Sequence, residues 1–370
     1  MKNKRISIYV RNQYLTPSSY YRIVQYANNL DGKILINNIA PTNMYKKNQQ
    51  LDKSKRMIYI LMSIHYYLVM LVRSTYFLLR DCINKPDYII VSKVILPKYM
   101  PYLVNKIFEY LTRNTILYWD FDDMLFDTAE KLNKQLLTLG NNSEKIIVTS
   151  EYLKSKLKDK WKEKCLLLPT TDGDLQGFEY EELQRKRKKL FAEEVRLVWV
   201  ATSCNLPHIA NIINDLDIAA SKIKKKFNKK LVLTVVCDKP LDVKVSTLTL
   251  NNIKWTRDVA KNEIFNAHIG IMPLIYSEFT LGKGGFKLVQ YISTGLPVIA
   301  SNVGFNKEVV DETCGILVDD LNSTISWTKA IMDMSQTWDL IELKGKNAHK
   351  KWNDKFSYNK NLAFWNELLN

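Results

Sequence analysis

Short apolar segments alternate with stretches of helical periodicity along most of the 370-residue chain. Six such segments precede residue 170, six follow residue 194, and turn residues bound them. This alternation is typical of parallel sheets whose strands are joined by crossover helices. We therefore predict an α/β fold with two Rossmann-like domains. The strands are predicted at residues 5–10, 33–36, 88–91, 115–119, 145–149, 165–168, 195–201, 231–236, 252–255, 269–274, 297–301 and 315–318.

The segment 170–194 separates the two series of predicted strands. It is polar, it carries charges of both signs, and it contains the basic run 185–189. We interpret it as a linker between an N-terminal domain at 1–169 and a C-terminal domain at 195–350. Residues 351–370 have an amphipathic pattern and are predicted to form a C-terminal helix.

The five cysteines are scattered and odd in number, with no Cys-x-x-Cys pair. This pattern argues against a disulfide framework and a structural zinc site, and it favours a reducing compartment. The N-terminus enters the first predicted strand without the long apolar run of a signal peptide, so we expect a cytoplasmic protein. No histidine lies in a nucleophile pattern or at metal-ligand spacing, so we expect structural roles for all four and no hydrolase triad. The histidines are His65, His208, His268 and His349.

The formal net charge of +16 is concentrated in the N-terminal part of the chain. Residues 1–113 contain 18 Lys and Arg against 5 Asp and Glu, which leaves +13 there and +3 in the remainder. Three partners fit such a surface: nucleic acid, an anionic membrane surface, or a phosphorylated substrate. Nucleic acid is disfavoured because no RNA-binding aromatic motif, zinc module or helix-turn-helix pattern accompanies the charge.

Residues 57–79 form the most apolar stretch, and its length would span a bilayer. It contains Arg73, and it falls inside the first predicted domain, where a crossing would break the sheet. Three interpretations remain: a buried or half-buried domain helix, an interfacial helix that contacts a membrane, or a true span. In the interfacial case, headgroups would be contacted by Lys53, Lys55, Arg56 and Arg80.

The segment 278–308 carries the sharpest pattern in the chain. Gly284 and Gly285 free the backbone where a helix is predicted to begin, so that its unpaired N–H groups can face a phosphate. Lys283 and Lys287 are four residues apart and would present two cations to the same side. The spacing predicts a site for a diphosphate. The alternative is a plain helix-turn-strand unit with solvated lysines.

Three carboxylates, Asp120, Asp122 and Asp123, follow a predicted strand. Carboxyl ends of parallel strands line the ligand side of open sheets, and neighbouring carboxylates raise one another's pKa. The pattern therefore favours a general base or a site for substrate hydroxyls. Binding of Mg²⁺ or Mn²⁺ is the rival interpretation, and capping of a following helix by Asp122 or Asp123 is the third.

The segment beginning at Gly282 resembles the donor-site region of the two-domain GT-B glycosyltransferases, in particular those of family 4, or group 1. The similarity lies in the pattern Gly-Lys-x-x-Phe-Lys-x-x-Gln-Tyr-x-x-x-Gly-x-Pro-Val-x-Ala-Ser at 282–301. Residues 197–205, 252–255 and 269–274 are similar, in the same order, to the strands and the loop that lead to this region. The resemblance implies GT-B architecture, with the C-terminal domain holding a nucleotide diphosphate sugar at a cleft. It also implies a C-terminal helix at 351–370 that packs back toward the N-terminal domain.

The chain departs from the common family pattern at two positions. Gly282 and Gln290 stand where the family carries two glutamates, and Gln290 is expected to keep a ribose contact through its amide. The family's basic residue after the first donor-domain strand is replaced by the loop 202–205, so Lys283, Lys287 and Arg257 are expected to neutralise the phosphates. The donor-binding residues implied by the resemblance are Thr202, Asn205, Arg257, Gly282, Gly284, Gly285, Phe286, Gln290, Gly304 and Asn306.

The loop after the first strand is where the family places residues between donor and acceptor. Acceptor-side roles are therefore expected for Ser18, Ser19, Tyr20 and Arg22. Ser18 is alternatively a helix N-cap, and Arg22 would meet an anionic group if it faces the cleft.

Together these features predict an enzyme that transfers a sugar to a saccharide acceptor, with retention implied by the family. The acceptor is expected to be lipid-linked and used in cell-surface polysaccharide synthesis, with the basic N-terminal domain at the inner face of the cell membrane. No cofactor and no metal are expected, since the resemblance assigns the diphosphate to basic residues and helix dipoles. Catalytic roles are assigned to Asp120, Asp122, Asp123, Lys283 and Lys287. A non-catalytic partner subunit is the alternative that the missing glutamates keep open.

Overall fold

The computed structural model describes residues 4–52, 54–125, 133–319 and 326–370. Lys53, one of the flanking cations of the apolar stretch, lies outside the described residues. The chain forms two compact units. The first comprises Met1–Thr170 and Asn359–Asn370, and the second comprises Thr171–Tyr358.

The first unit is built on a six-stranded parallel sheet with the strand order β2-β1-β3-β4-β5-β6. Its strands are β1 Arg5–Val10, β2 Lys33–Asn38, β3 Tyr88–Ser92, β4 Ile116–Phe121, β5 Ser143–Val148 and β6 Cys165–Leu167. Its helices are α1 Pro17–Arg22, α2 Thr42–Gln49, α3 Arg56–Asn84, α4 Tyr102–Arg113, α5 Lys134–Asn142, α6 Glu151–Ser155 and α7 Asp159–Lys162. The central strands are buried on both faces, which explains why they stand out as continuous apolar runs.

The second unit contains a six-stranded parallel sheet with the order β12-β11-β10-β7-β8-β9. Its strands are β7 Glu194–Val200, β8 Lys230–Cys237, β9 Thr249–Lys254, β10 Ile269–Met272, β11 Val298–Ser301 and β12 Gly315–Val318. Its helices are α8 Tyr180–Phe191, α9 Leu206–Ala210, α10 Ile213–Phe227, α11 Arg257–Asn266, α12 Glu278–Leu281, α13 Phe286–Ser293, α14 Asn306–Val309, α15 Trp327–Met334 and α16 Trp338–Lys355. All twelve predicted strands are present, and the prediction of two Rossmann-like sheets is confirmed.

The segment 170–194, interpreted from the sequence as a linker, contains a short 3-10 turn at Gly173–Leu175 and helix α8. Leu183, Arg187 and Phe191 of α8 recur at helical spacing and are buried. The Arg187 guanidinium donates to the carbonyl oxygens of Ile264 and Thr294 at 3.1 and 2.7 Å. This part of the charged segment therefore packs within the second unit.

Residues 351–370, predicted as one helix, are divided between the end of α16 and a further helix, α17, at Tyr358–Leu369. Residues 359–370 group with the first unit. Trp365 is wholly buried there, and its indole N–H donates to the carbonyl oxygen of Arg22 at 3.1 Å. Asn361 donates to the carbonyl oxygen of Pro169 at 2.7 Å.

Helix α3 contains the apolar stretch 57–79 and extends it to 29 residues. Within the described part of the chain, α3 is the one helix that is both long enough and apolar enough to cross a membrane. Its most apolar window has a mean hydropathy of 1.4. Only 11% of that window is buried. One face of α3 packs on the unit and its other positions are exposed or partly buried, so α3 is a half-buried domain helix, as one of the three interpretations predicted.

Candidate active site

The strand order of the second sheet reverses between β7 and β10. In open α/β sheets the crevice at the carboxyl ends of two such strands is where ligands bind. The loop after β7 supplies Thr202 and Asn205, and the loop after β10 supplies Ile275. The topology thus places two of the predicted donor-binding residues, Thr202 and Asn205, at the expected edge.

Lys283 contacts the loop after β7. Its ammonium group donates to Oδ1 of Asn205, and the amide nitrogen of Asn205 donates to Oγ1 of Thr202 at 3.0 Å. Asn205 is buried, whereas Lys283 is half-buried. Three residues that the sequence predicted separately therefore form one hydrogen-bonded chain.

His208 lies beside the two predicted lysines. Its Nδ1 accepts the backbone N–H of Ile275 at 3.2 Å, so its ring proton is on Nε2. Burial, together with the positive charges of Lys283 and Lys287, lowers the pKa of His208 to about 4. The sequence analysis expected only a structural role here. The available signal was the position of His208, one helical turn after Asn205.

Helix α13 begins at Phe286, one residue after Gly285, as the sequence predicted. Gly285 has φ +58°, a backbone conformation that favours glycine. Gly284 precedes it in the turn, and Gly282 ends α12. Lys283 lies outside the helix and Lys287 inside it, so the two lysines act on His208 from different elements.

Gly304 and Asn306 shape the turn after β11. Gly304 has φ +54°, and a Cβ there would lie 2.6 Å from the carbonyl oxygen of Leu281. Asn306 is buried, and its amide nitrogen donates to the carbonyl oxygen of Ser301 at 3.0 Å. We assign Asn306, predicted as donor-binding, to holding this turn.

Gln290 and Arg257 belong to a second group, which we call the Asp172 group. The amide nitrogen of Gln290 donates to Oδ2 of Asp172 at 2.6 Å, and Oδ1 of Asp172 accepts the backbone N–H of Asp174 at 2.8 Å. Burial raises the pKa of Asp172 to about 6. Arg257 lies with its Nε 3.5 Å from Asp174, so its described ion pair belongs to this group.

In the first unit, Asp120 and Arg22 bind each other. Both are buried, and the guanidinium contacts the carboxylate through Nε at 2.9 and 3.0 Å and through an NH₂ group at 2.6 Å. Arg22 also donates to the carbonyl oxygen of Leu168 and to Oγ1 of Thr170, both at 2.9 Å. The anionic group that Arg22 meets is thus Asp120. We assign both side chains to positioning, since neither is exposed to a substrate.

Asp122 and Asp123 share the ammonium group of Lys93, at 3.0 and 2.5 Å. Although burial raises the pKa of Asp122, Lys93 holds it below its ordinary value. Lys93 has φ +61°, an uncommon conformation for a residue with a side chain, and sequence reasoning missed it. Among the described residues no group of three or more His, Cys, Asp or Glu side chains could hold a metal ion.

The acceptor-side residues lie on α1. Thr16 precedes the helix and Ser18 is inside it, so the alternative in which Ser18 is the N-cap is wrong. A hydrogen bond from Ser18 helps to lower the pKa of Asp122, which joins α1 to the carboxylates after β4. Ser19 is buried, and Tyr20 stacks edge-on against Tyr21. The first described helix after the carboxylates, α5, is capped by Asn133 and not by Asp122 or Asp123.

Part of the chain is similar to a known protein family. The family model described as "Glycosyl transferases group 1" matches residues 194–337. No curated protein sequence matches the chain.

The fold is similar to that of several solved structures. A glycosyltransferase of Rickettsia africae is 14% identical with a TM-score of 0.64, and the similarity covers 99% of this chain and 98% of that one. HepE of Anabaena, in complex with UDP and glucose, is 11% identical with a TM-score of 0.61 and coverage of 99% of each chain. Sucrose-phosphate synthase of Thermosynechococcus elongatus is 15% identical with a TM-score of 0.54, covering 81% of this chain and 77% of that one. Residues 194–337 thus match the group 1 glycosyltransferases, and the chain has the GT-B fold of two Rossmann-like units.

Proposed function

We propose that this protein is a glycosyltransferase that uses a UDP-sugar and transfers the sugar to a hydroxyl group of a saccharide acceptor. The observation that carries the proposal is the cluster of Lys283, Lys287 and His208 at the strand reversal, beside the start of α13. Two ammonium groups and a helix N-terminus favour an anionic diphosphate. The choice of uridine is supported by HepE, which has this fold and was crystallised with UDP and glucose and with UDP-glucose.

In this proposal the protein stabilises the leaving group. Negative charge develops on the diphosphate as the bond between the sugar carbon and the phosphate oxygen breaks. Lys283, Lys287 and the N–H groups of α13 lie in place before the reaction, so they stabilise this charge without reorganising. His208 is neutral near pH 7, and its Nε2–H supplies one more donor.

Gln290 is proposed to contact the ribose. Its amide nitrogen is bound to Asp172, which leaves the amide oxygen to accept from a ribose hydroxyl. Gly282 offers no side chain, so contact with the donor sugar has to come from other residues.

Acceptor binding is assigned to the first unit. Lys93 keeps Asp122 ionised, and ionised carboxylates accept hydrogen bonds from sugar hydroxyls. Asp120 keeps only the positioning role that its burial against Arg22 allows. Retention of the anomeric configuration is proposed from the family.

We further propose that the acceptor is lipid-linked and serves cell-surface polysaccharide synthesis at the cytoplasmic face of the membrane. The excess of basic residues before residue 113 supports this location, because anionic lipids attract such surfaces. Kinetics on one saccharide with and without its lipid test the point. The lipid-linked form should give the higher kcat/KM on vesicles, and equal values would refute it.

No metal is needed in this scheme, because the lysines and the helix supply the positive charge. Turnover of the UDP-sugar should therefore be unchanged by EDTA. A loss of turnover that Mg²⁺ or Mn²⁺ restores would refute this part of the proposal.

A thermal-shift screen against UDP, GDP, ADP and CMP tests the donor site. A ligand at 100 times its Kd adds about 2.7 kcal/mol of apparent stability, so binding should be visible. We expect UDP to raise the melting temperature of the wild type and Lys287→Ala to lose most of that shift. Lys225→Ala, an exposed lysine of α10, is the matched control and should keep it. The absence of a shift with every nucleotide would refute the donor assignment.

A further inference from the structure

Helix α3 has two apolar faces, and only one of them is covered. The covered face follows a regular spacing of three to four residues and packs on the first unit; its buried members are Tyr66, Met70, Ser74, Leu78 and Asp81. Asp81 fixes this face, since its carboxylate accepts from the hydroxyl of Tyr9 at 2.7 Å and from that of Ser7. The helix is thus part of the domain.

The opposite face, which we call the outer stripe, is exposed and, apart from His65, mainly apolar. At 100° per residue its members lie across the helix from the covered face. They are Met57, Leu61, Ile64, Leu68, Val72, Tyr76, Leu79 and Ile83, with exposures between 47 and 80%. The stripe extends for about 40 Å along the helix. A helix that is apolar on both sides is normally buried on both, so this stripe requires a cover.

Arg73 and Arg80, two charged residues within α3, bind the domain. Arg73 donates to the carbonyl oxygens of Asn38 at 2.8 Å and Ile39 at 3.2 Å. Arg80 binds the carboxylate of Asp81 and the side chain of Asn37, both at 2.7 Å. Both guanidinium groups are thus bound to the domain.

Basic and aromatic residues border the stripe. Lys46, Lys47 and Lys55 precede α3 and Arg56 is its first residue, and all four are exposed. Beside the middle of α3, the hydroxyl of Tyr67 donates to the carbonyl oxygen of Tyr99 at 2.8 Å. The exposed ring of Tyr102 has the ammonium groups of Lys106 and Lys134 within 5.7 and 5.1 Å of its centre. Apolar side chains bordered by tyrosines and cations match the boundary between acyl chains and anionic headgroups.

We propose that the outer stripe lies in the plane of an anionic lipid surface, with its side chains among the acyl chains and the bordering lysines on the headgroups. This deepens the proposed function, on which it rests, by naming the membrane-binding residues. A lipid surface fits better than a second copy of this face, because a second apolar face offers no anionic groups to the bordering cations. A transmembrane orientation would strip the covered face from the sheet and leave Asp81 without its partners.

Sedimentation with vesicles of equal parts phosphatidylcholine and phosphatidylglycerol tests the surface. The double variant Leu68→Glu/Val72→Glu should lose at least about tenfold in partition coefficient, because carboxylates are expelled from the acyl region. Leu343→Glu, at an equally exposed leucine of α16, is the control and should bind like the wild type. Equal binding of the wild type and the double variant would overturn the proposal.

The basic border has its own variant. Lys55→Glu/Arg56→Glu should lose roughly twentyfold or more on the anionic vesicles, since each cation near the surface contributes a factor of about five. On pure phosphatidylcholine the wild type and this variant should differ little. A variant that binds anionic vesicles as well as the wild type does would show that the cations are not on the headgroups.

Two further measurements separate the alternatives. Analytical ultracentrifugation without lipid should find the same mass for the wild type and Leu68→Glu/Val72→Glu. A wild-type dimer that the double variant breaks would assign the stripe to a second copy. Alkaline carbonate should release the wild type from membranes, and resistance to this treatment would indicate a true span instead.

The UDP thermal shift, measured on the same preparations, separates this proposal from the proposed function. Leu68→Glu/Val72→Glu should keep the shift, because α3 belongs to the first unit and the lysine cluster to the second. Vesicle binding without a UDP shift in the wild type would refute the donor assignment alone. A UDP shift without vesicle binding would refute the lipid surface alone.

Discussion

Asp172→Asn should stabilise the protein at neutral pH, and the gain should depend on pH. Burial raises the pKa of Asp172 from an ordinary value of 3.8 to about 6, with Asp174 acting in the same direction and Gln290 and Arg257 against it. Between these two values the folded chain binds more protons than the unfolded chain, so stability falls as pH rises. A shift of this size corresponds to about 3 kcal/mol above pH 6.

Asparagine has no charge to desolvate, and it can still pair with Gln290 because either amide can turn its oxygen to the other's nitrogen. Urea unfolding of the wild type and Asp172→Asn at about pH 4 and about pH 8 measures the effect. The stability difference should grow by about 2.4 kcal/mol in favour of the variant toward the higher pH.

Asp217→Asn is the matched control of opposite sign. Burial raises the pKa of Asp217, but hydrogen bonds from the backbone N–H groups of residues 246–248 hold it below its ordinary value. The Asp217 carboxylate therefore stabilises the fold at a pH above its pKa in the unfolded chain. This stabilisation is lost as the pH falls through its pKa in the folded chain. A difference between wild type and Asp172→Asn that stays constant with pH would refute the reasoning for Asp172.

Three further substitutions test the fold around the site by thermal melting. Gly304→Ala should lower the free energy of unfolding by about 1–3 kcal/mol and weaken UDP binding, because a Cβ would clash with the carbonyl oxygen of Leu281. Gly177 also has a positive φ, but a Cβ there would point into open space. An equal loss of stability in Gly177→Ala would therefore refute the steric argument. Arg187→Met should cost about 2–4 kcal/mol because it leaves buried carbonyl oxygens without their donor, and a near-neutral result would refute that role. Trp365→Ala should cost about 3–5 kcal/mol through the cavity it leaves in the first unit, and an unchanged melting temperature would show that α17 is not required there.

The sheets could be predicted from the sequence because each strand is a short apolar run between turn residues, and the parallel order follows from the helices between them. The start of α13 could also be predicted, because Gly285 is a glycine immediately before a segment of helical periodicity. Helix α8 was missed because its lysines and glutamates dominate the composition, while Leu183 and Phe191 alone mark the buried face.

The remaining site residues depend on contacts between distant segments. The hydrogen-bonded side chains of Asp172 and Gln290 are 118 residues apart in the sequence, and those of Lys93 and Asp123 are 30 apart. No local sequence pattern therefore predicts either pair. His208 gains its importance from Lys283, which folding brings to the loop after β7. Such pairings are set by the tertiary fold and leave no periodic signal.

The position of α17 fixes the order in which the units can be completed during synthesis. The second unit is one continuous stretch, and every residue of it is translated before residue 359. The first unit begins earlier but lacks Trp365 and Asn361 until residues 359–370 have left the ribosome. A nascent chain therefore carries an unfilled slot beside Arg22 while the second unit folds, so the part translated first is the part finished last.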